Sequence, residues 1–271
     1  MRMKEVFQQK DRKPLIPFIT VGDPDMSTTL DLIRLLDDEK VTGIELGVPY
    51  SDPLADGPVI QSASARALAH GVTLPQVLEL ADKAREIGVT TPLILFSYYN
   101  PILQYGPKSL VSQARKAGID GFIIPDLPWE EGREMSAYAS KQGVDLIPLV
   151  APTSRERVRQ IVSDAQGFVY CVSSRGTTGV RHAFEQEVDV FLDTVRKWSP
   201  VPTAVGFGIS HSDHVQRFLQ HADAVVVGSA LVRKIEETGE KLTNPDRRNE
   251  ALDEIRQFIR SLMNTVRTVN S

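Results

Sequence analysis

A glutamate lies inside an apolar, strand-like run, Gly43-Ile44-Glu45-Leu46-Gly47. Burying a carboxylate is costly unless it is paired or used. Alternation along a strand puts Glu45 and Gly47 on one face and Ile44 and Leu46 on the other. Turned inward, Glu45 would be desolvated and its pKa raised toward neutrality, which suits a general acid or base. A glutamate satisfied at a rim by an arginine or by backbone is an equally open reading. The next loop runs Val48-Pro49-Tyr50-Ser51-Asp52-Pro53-Leu54-Ala55-Asp56-Gly57-Pro58. Its prolines give it a defined shape. Asp52-Pro53 reads as a turn. Asp56-Gly57 reads as a turn, as a cap for a helix beginning near Pro58, or as a second carboxylate beside Glu45.

Three further stretches suit an anion. Gly206-Phe207-Gly208-Ile209-Ser210 follows one strand-like run, and Gly228-Ser229-Ala230 follows the next and opens a helix. Glycines let backbone N–H groups approach a phosphate, and a helix N-terminus favours negative charge. Ser173-Ser174-Arg175-Gly176-Thr177-Thr178-Gly179-Val180 is rich in glycine and hydroxyls, so Ser173–Phe184 is expected to form a lid. Together these predict a phosphorylated small-molecule substrate.

The elements that must hold these residues are legible as eight apolar runs: Leu15–Thr20, Gly43–Gly47, Pro92–Tyr98, Asp120–Pro125, Asp145–Val150, Gly167–Val172, Pro202–Gly206 and Asp223–Gly228. They are apolar on both faces, as in a parallel sheet covered on both sides. Helical spacing fills the intervals at Ser27–Glu39, Leu74–Ile87, Lys108–Ala117, Glu130–Gln142 and Thr153–Asp164, several closed by glycine. Ala251–Val266 reads as a final amphipathic helix and Met3–Gln9 as a short helix plugging the bottom. The pattern predicts an α/β fold, a (β/α)8 barrel with extra short helices, in one domain over 1–271. The longest strand-to-strand intervals follow runs two and six, so chemistry is expected near Gly47–Gln61 and Ser173–Phe184.

Length and composition agree. The chain has 271 residues, close to the roughly 250 of one such barrel. Its formal charge of −4 argues against a non-specific nucleic-acid binder. One cysteine, Cys171, excludes an internal disulfide and a multi-cysteine metal site, and reads as core. No acid–histidine cluster marks a metal site, and His70, His182, His211, His214 and His221 read as surface residues. No lysine ends a strand, which disfavours Schiff-base chemistry. No apolar run is long enough to span a membrane, and no signal peptide is apparent, so a cytoplasmic protein is expected.

These residues resemble one family over nearly the whole chain, the tryptophan synthase alpha chains. The resemblance rests on Phe18-Ile-Thr-Val-Gly-Asp-Pro24, Ile44–Pro58 as a block, Tyr98-Tyr-Asn-Pro101, Pro125-Asp-Leu-Pro128, Thr177-Thr-Gly179, Gly206-Phe-Gly-Ile-Ser210 and Gly228-Ser-Ala230. It implies a (β/α)8 barrel that cleaves indole-3-glycerol phosphate to indole and glyceraldehyde 3-phosphate, with no cofactor in this subunit. It implies a pyridoxal-phosphate-dependent beta chain as partner, in an αββα complex, meeting the mouth around Pro53–Ala55 and an apolar loop, Asn100–Tyr105. By the same resemblance, Glu45 is the acid–base group and Asp56 the second essential carboxylate. Gly179, Gly208, Gly228 and Ser229 fall on the phosphate-binding backbone. Phe18, Ile60, Phe96, Tyr98, Tyr170 and Phe207 fall on the indole pocket, and Thr178 on the lid threonine that closes onto the loop aspartate. Phe96 departs from the aliphatic residue common there. A stand-alone lyase, a non-catalytic phosphate-binding activator and another phosphosugar barrel are the other readings.

Overall fold

The computed structural model describes residues 2–172, 181–206 and 208–264. In chain order the elements are α1 (Arg2–Val6), β1 (Leu15–Thr20), α2 (Met26–Asp38), β2 (Ile44–Gly47), α3 (Pro58–Ala69), α4 (Leu74–Glu86), β3 (Leu93–Phe96), α5 (Tyr99–Tyr105), α6 (Pro107–Lys116), β4 (Gly121–Ile123) and α7 (Trp129–Lys141). They continue with β5 (Asp145–Leu146), β6 (Leu149–Val150), α8 (Arg155–Ser163), β7 (Val169–Val172), α9 (Arg181–Trp198), β8 (Thr203–Gly206), α10 (Ser212–Phe218), β9 (Ala224–Val227), α11 (Ser229–Glu237), α12 (Gly239–Thr243) and α13 (Arg248–Ser261). Every strand pair is parallel, in the order β5-β4-β3-β2-β1-β9-β8-β7-β6.

The ends of that order, β5 and β6, are two halves of one stretch. Asp145–Leu146 pairs with β4 and Leu149–Val150 pairs with β7. Between them the Ile147 N–H still donates to the Phe122 carbonyl, while the Pro148 carbonyl accepts from the Tyr170 N–H. Proline has no N–H to give to a ladder, so the stretch changes partner there. The sheet thereby closes on itself, and the eight predicted runs are its eight staves.

Strand alternation divides the core in two. Ile16, Ile94, Ile123, Ile147, Phe168, Tyr170, Ala204, Ala224 and Val226 fill the barrel interior, and Met3 of α1 joins them, 1 % exposed. That contact makes α1 the predicted plug. The opposite strand faces, including Ile44, Leu46 and Leu95, pack against the helices. Local signals explain the helix starts. Asp25 caps α2 by accepting from the Thr28 N–H at 2.7 Å. Thr73 and Gln76 form a capping box on α4.

Three expectations differ from the structure. Asn100–Tyr105 is not a loop but most of α5, with Ile102 fully buried on one side and Leu103 exposed on the other. Pro101 lies in its first turn, where proline is tolerated. Of the expected lid Ser173–Phe184, residues 173–180 lie outside the described residues, and Arg181 already opens α9. The final helix begins earlier than predicted, at Arg248.

One buried ion pair ties the upper elements together. Asp23, 4 % exposed in the loop after β1, accepts two hydrogen bonds from Arg66 of α3, at 2.8 and 2.9 Å. The third arm of Arg66 reaches Glu236 of α11 at 2.6 Å. Stripping a buried carboxylate of its partner leaves an uncompensated charge. Arg66→Ala is expected to lower unfolding free energy by about 3 kcal/mol in urea titration, because Arg66 is itself partly exposed and the full penalty is softened. A change below ~1 kcal/mol, the level of an ordinary surface pair, would contradict that role.

Candidate active site

The mouth of the barrel holds a cavity of about 690 Å³, at the C-terminal ends of the strands. That is the end at which barrel enzymes carry their chemistry. Glu45 enters it from β2. Its strand neighbours in register are Phe18 of β1 and Ile94 of β3. The side chain is 1 % exposed, and its Oε1 has no hydrogen-bond partner among the described residues. Burial pushes its pKa up to about 8. The rim reading, with an arginine or backbone partner, therefore does not hold. At neutral pH most of Glu45 carries its proton.

Glycine makes room beside it. A Cβ at Gly47 would stand 2.4 Å from Cζ of Phe18, so the Phe18 ring occupies that space. Phe96 of β3 meets Phe18 edge to face, with ring centroids 5.3 Å apart. The two rings form an apolar wall next to the carboxyl group.

Asp56 comes from the loop after β2. It does not cap α3: the N-cap is Gly57, with Pro58 in the first turn. Asp52, by contrast, accepts from its neighbour Ser51 on the exposed side of the loop. The Asp56 carboxylate is instead held by Tyr98, whose hydroxyl donates to Oδ2 at 3.0 Å. The same hydroxyl accepts from the Ala55 N–H at 2.9 Å. Tyr98 is 4 % exposed and stacks on Tyr50 at 5.0 Å. Burial, then the charge of Asp56, raises the Tyr98 pKa well above that of a free phenol, so it stays a donor.

The cavity brings together Glu45, Asp56, Phe18, Ile60, Phe96, Tyr170, Gly208, Gly228 and Ser229. Tyr98 is not among its walls; it stands behind Asp56. Thr178, Gly179 and Phe207 lie outside the described residues. Tyr170 of β7 places its hydroxyl over Gly206 of the neighbouring strand β8, where a Cβ would come within 2.6 Å of it. Burial first, then Glu45 and Asp56, raises its pKa, so it is neutral. At the other end, Gly208 has φ +64°, a conformation glycine adopts freely, with open space where a side chain would stand. Gly228 is the N-cap of α11, whose first turn begins at Ser229.

Sequence reasoning missed one role, that of Tyr98 as the tether of Asp56, and one residue, Arg233. The hydroxyl of Tyr98 reaches an aspartate 42 residues away, and no local spacing signals that. Arg233 lines the same cavity, one helical turn after Ser229, and that spacing was a usable signal. The remaining chemistry-bearing residues take bland places. Cys171 is buried, with its pKa pushed up to about 12. His70 and His211 are exposed; His214 and His221 are half-buried rather than on the surface, and the His182 side chain lies outside the described residues. Among the described residues no group of three His, Cys, Asp or Glu is arranged to hold a metal, and no helix is long and apolar enough to cross a membrane.

A closed parallel barrel with two mouth carboxylates and glycine-rich turns after its last two staves defines a class, the (β/α)8 enzymes that act on phosphorylated small molecules. Known proteins narrow it. The family model described as tryptophan synthase alpha chain matches residues 4–264. The tryptophan synthase alpha chain of Geobacillus kaustophilus is 49 % identical over 256 residues, 94 % of this chain and 96 % of that one. The Bacillus subtilis alpha chain is 48 % identical over 250 residues, covering 92 % and 94 %. The Legionella pneumophila alpha subunit superposes with a TM-score of 0.82 at 36 % identity, covering 96 % of this chain and 98 % of that one. A chain from the mutually activating tryptophan synthase α2β2 complex of Pyrococcus furiosus superposes with a TM-score of 0.79 at 35 % identity, covering 92 % and 97 %. The chain belongs to the tryptophan synthase alpha chain family. It is a carbon–carbon lyase of that family.

Proposed function

We propose that Glu45 and Asp56 divide the work of cleaving indole-3-glycerol phosphate to indole and glyceraldehyde 3-phosphate. The observation that carries this is a buried glutamate, protonated at neutral pH, sharing one cavity with a tethered aspartate. Glu45 gives its proton to C3 of the indole ring, which makes the ring a leaving group. Asp56, ionised, accepts a hydrogen bond from the indole N–H and balances the positive charge that protonation creates. Glu45, now a carboxylate, takes the proton of the glycerol hydroxyl on the carbon bonded to C3. That oxygen becomes the aldehyde, the C3–carbon bond breaks, and its electron pair returns to the ring. One proton is given and one taken, so Glu45 ends as it began.

Phe18, Ile60, Phe96 and Tyr170 form the apolar walls suited to the indole. The N–H groups around Gly208 and Gly228–Ser229 suit the phosphate, whose binding orients the chain for cleavage. We assign Gly179 to the same anchor, Phe207 to the indole wall and Thr178 to closure onto Asp56. The scheme needs no cofactor in this chain; pyridoxal phosphate belongs to the beta chain. We place the reaction in the cytoplasm and in one domain over 1–271.

The partner is a tryptophan synthase beta chain. Its docking face on this chain is proposed at the mouth. Leu54 in the β2–α3 loop is 91 % exposed and Leu103 on α5 is 51 % exposed, and both lie in the segments expected to meet it. Exposed leucines of this kind suit burial by a partner. The stand-alone lyase and the non-catalytic activator are not favoured, given the family and the presence of both carboxylates. The direct test is indole release from indole-3-glycerol phosphate by the purified chain, with and without beta chain. Release stimulated by beta chain is expected, and no release under either condition would refute the assignment.

Tyr98→Phe isolates the tether. It removes one hydroxyl and keeps the ring stacked on Tyr50. A misplaced charge costs rate more than binding, so kcat should fall about 10- to 100-fold with KM within about threefold. An unchanged kcat would mean that the loop holds Asp56 without it.

A further inference from the structure

Among the described residues, the charged ones lining the cavity are Glu45, Asp56 and Arg233. A phosphorylated substrate brings a dianion into a space where the other two charged groups among the described residues are acids. Arg233 lies on α11, on the helix face that follows from Ser229 by one turn. Long helical side chains lean toward the N-terminus of their helix, which here is the end formed by Gly228 and Ser229. Arg233 is exposed, and it makes no ion pair or hydrogen bond among the described residues. Its neighbours are committed: Lys234 is paired with Glu254 at 3.0 Å, and Glu236 with Arg66 at 2.6 Å.

We infer that Arg233 is an anion-binding residue of this site, adding the side-chain charge that holds the substrate's phosphate beside the backbone donors of Gly208, Gly228 and Ser229. The inference rests on the placement of the phosphate proposed above. A guanidinium presents a planar fork of donors that matches a phosphate. On a chain of net charge −4 it also gives an incoming dianion a local attraction at the mouth. Being exposed, it keeps water access until substrate arrives, and α11 is anchored by Leu231, Val232 and Ile235 whatever stands at position 233.

The test compares the parent chain with Arg233→Gln and Arg233→Lys. Glycerol 3-phosphate is titrated by calorimetry, and KM for indole-3-glycerol phosphate is measured at low and high salt. Arg233→Gln should weaken glycerol 3-phosphate about tenfold, the scale of one charged hydrogen bond, and raise KM similarly. It should also flatten the salt dependence of kcat/KM, because the attraction being screened is gone. Arg233→Lys should recover most of both. Equal glycerol 3-phosphate affinity and equal salt dependence in the parent and the Gln variant would overturn the inference. Equal losses in the Lys and Gln variants would overturn it too, since charge would not be what matters. If the parent binds glycerol 3-phosphate through Arg233 but never releases indole, the anion site stands and the reaction assignment falls.

Discussion

Glu45→Gln is expected to be inactive and, between pH 4.5 and about 8, to lose less stability than the parent as pH rises. General acid–base catalysis by one group contributes roughly 10²–10⁴-fold, and Glu45 serves two proton transfers, so the loss should lie at or beyond that range. The stability effect follows from burial. The carboxyl titrates at 4.5 when unfolded and at about 8 when folded. Below pH 4.5 both states hold the proton and the group contributes no difference. Between those values the unfolded chain releases its proton while the folded chain keeps it. Folding must then take up a proton, and stability falls by about 1.4 kcal/mol per pH unit, levelling off above the folded value. Glutamine does not titrate. Urea unfolding of both chains from pH 5 to 9 should therefore show the variant gaining on the parent as pH rises. Parallel stability curves would mean that Glu45 is already ionised in the folded barrel.

Asp56→Asn should lower kcat about 10²–10³-fold, the scale of removing one electrostatic contact to a transition state. KM should change little. Asparagine is nearly isosteric, and its carbonyl oxygen can still accept from the Tyr98 hydroxyl, so the loop keeps its anchor. What is lost is the negative charge facing the indole N–H when the ring is protonated. That charge matters in the transition state more than in the bound substrate. Steady-state kinetics decide it: a raised KM with unchanged kcat would show instead that Asp56 shapes the loop or binds substrate uniformly.

The fold was legible because both-face apolar runs mark each stave, and all eight runs contain observed strands. The break at Ile147-Pro148 was hidden, because the change of ladder partner depends on which strands lie alongside. Glu45 stood out since a carboxylate amid Ile44 and Leu46 needs a reason. Asp56 did not, because an Asp-Gly pair before a proline describes a cap as well as a catalytic group. Only the backbone at Gly57, which takes the cap itself, separates the two. The resemblance puts a loop at Asn100–Tyr105, and Pro101 does not betray the helix there, because a proline in a first turn and a proline in a loop give the same local pattern. The resemblance puts Tyr98 in the indole pocket, whereas its hydroxyl is engaged behind Asp56. That engagement crosses from the turn after β3 to the loop after β2, and such contacts exist only after the strands have paired.

The account turns on a proton passing from Glu45 to the indole ring, and single-turnover cleavage in D2O reads that step. Parent chain mixed with indole-3-glycerol phosphate should release indole carrying one deuterium at C3, with glyceraldehyde 3-phosphate in equal amount. Glu45→Gln, folded and still able to bind glycerol 3-phosphate, should release none above the enzyme-free control. Deuterated indole released by that variant within about tenfold of the parent rate, well short of the loss expected for a general acid–base group, would contradict the account.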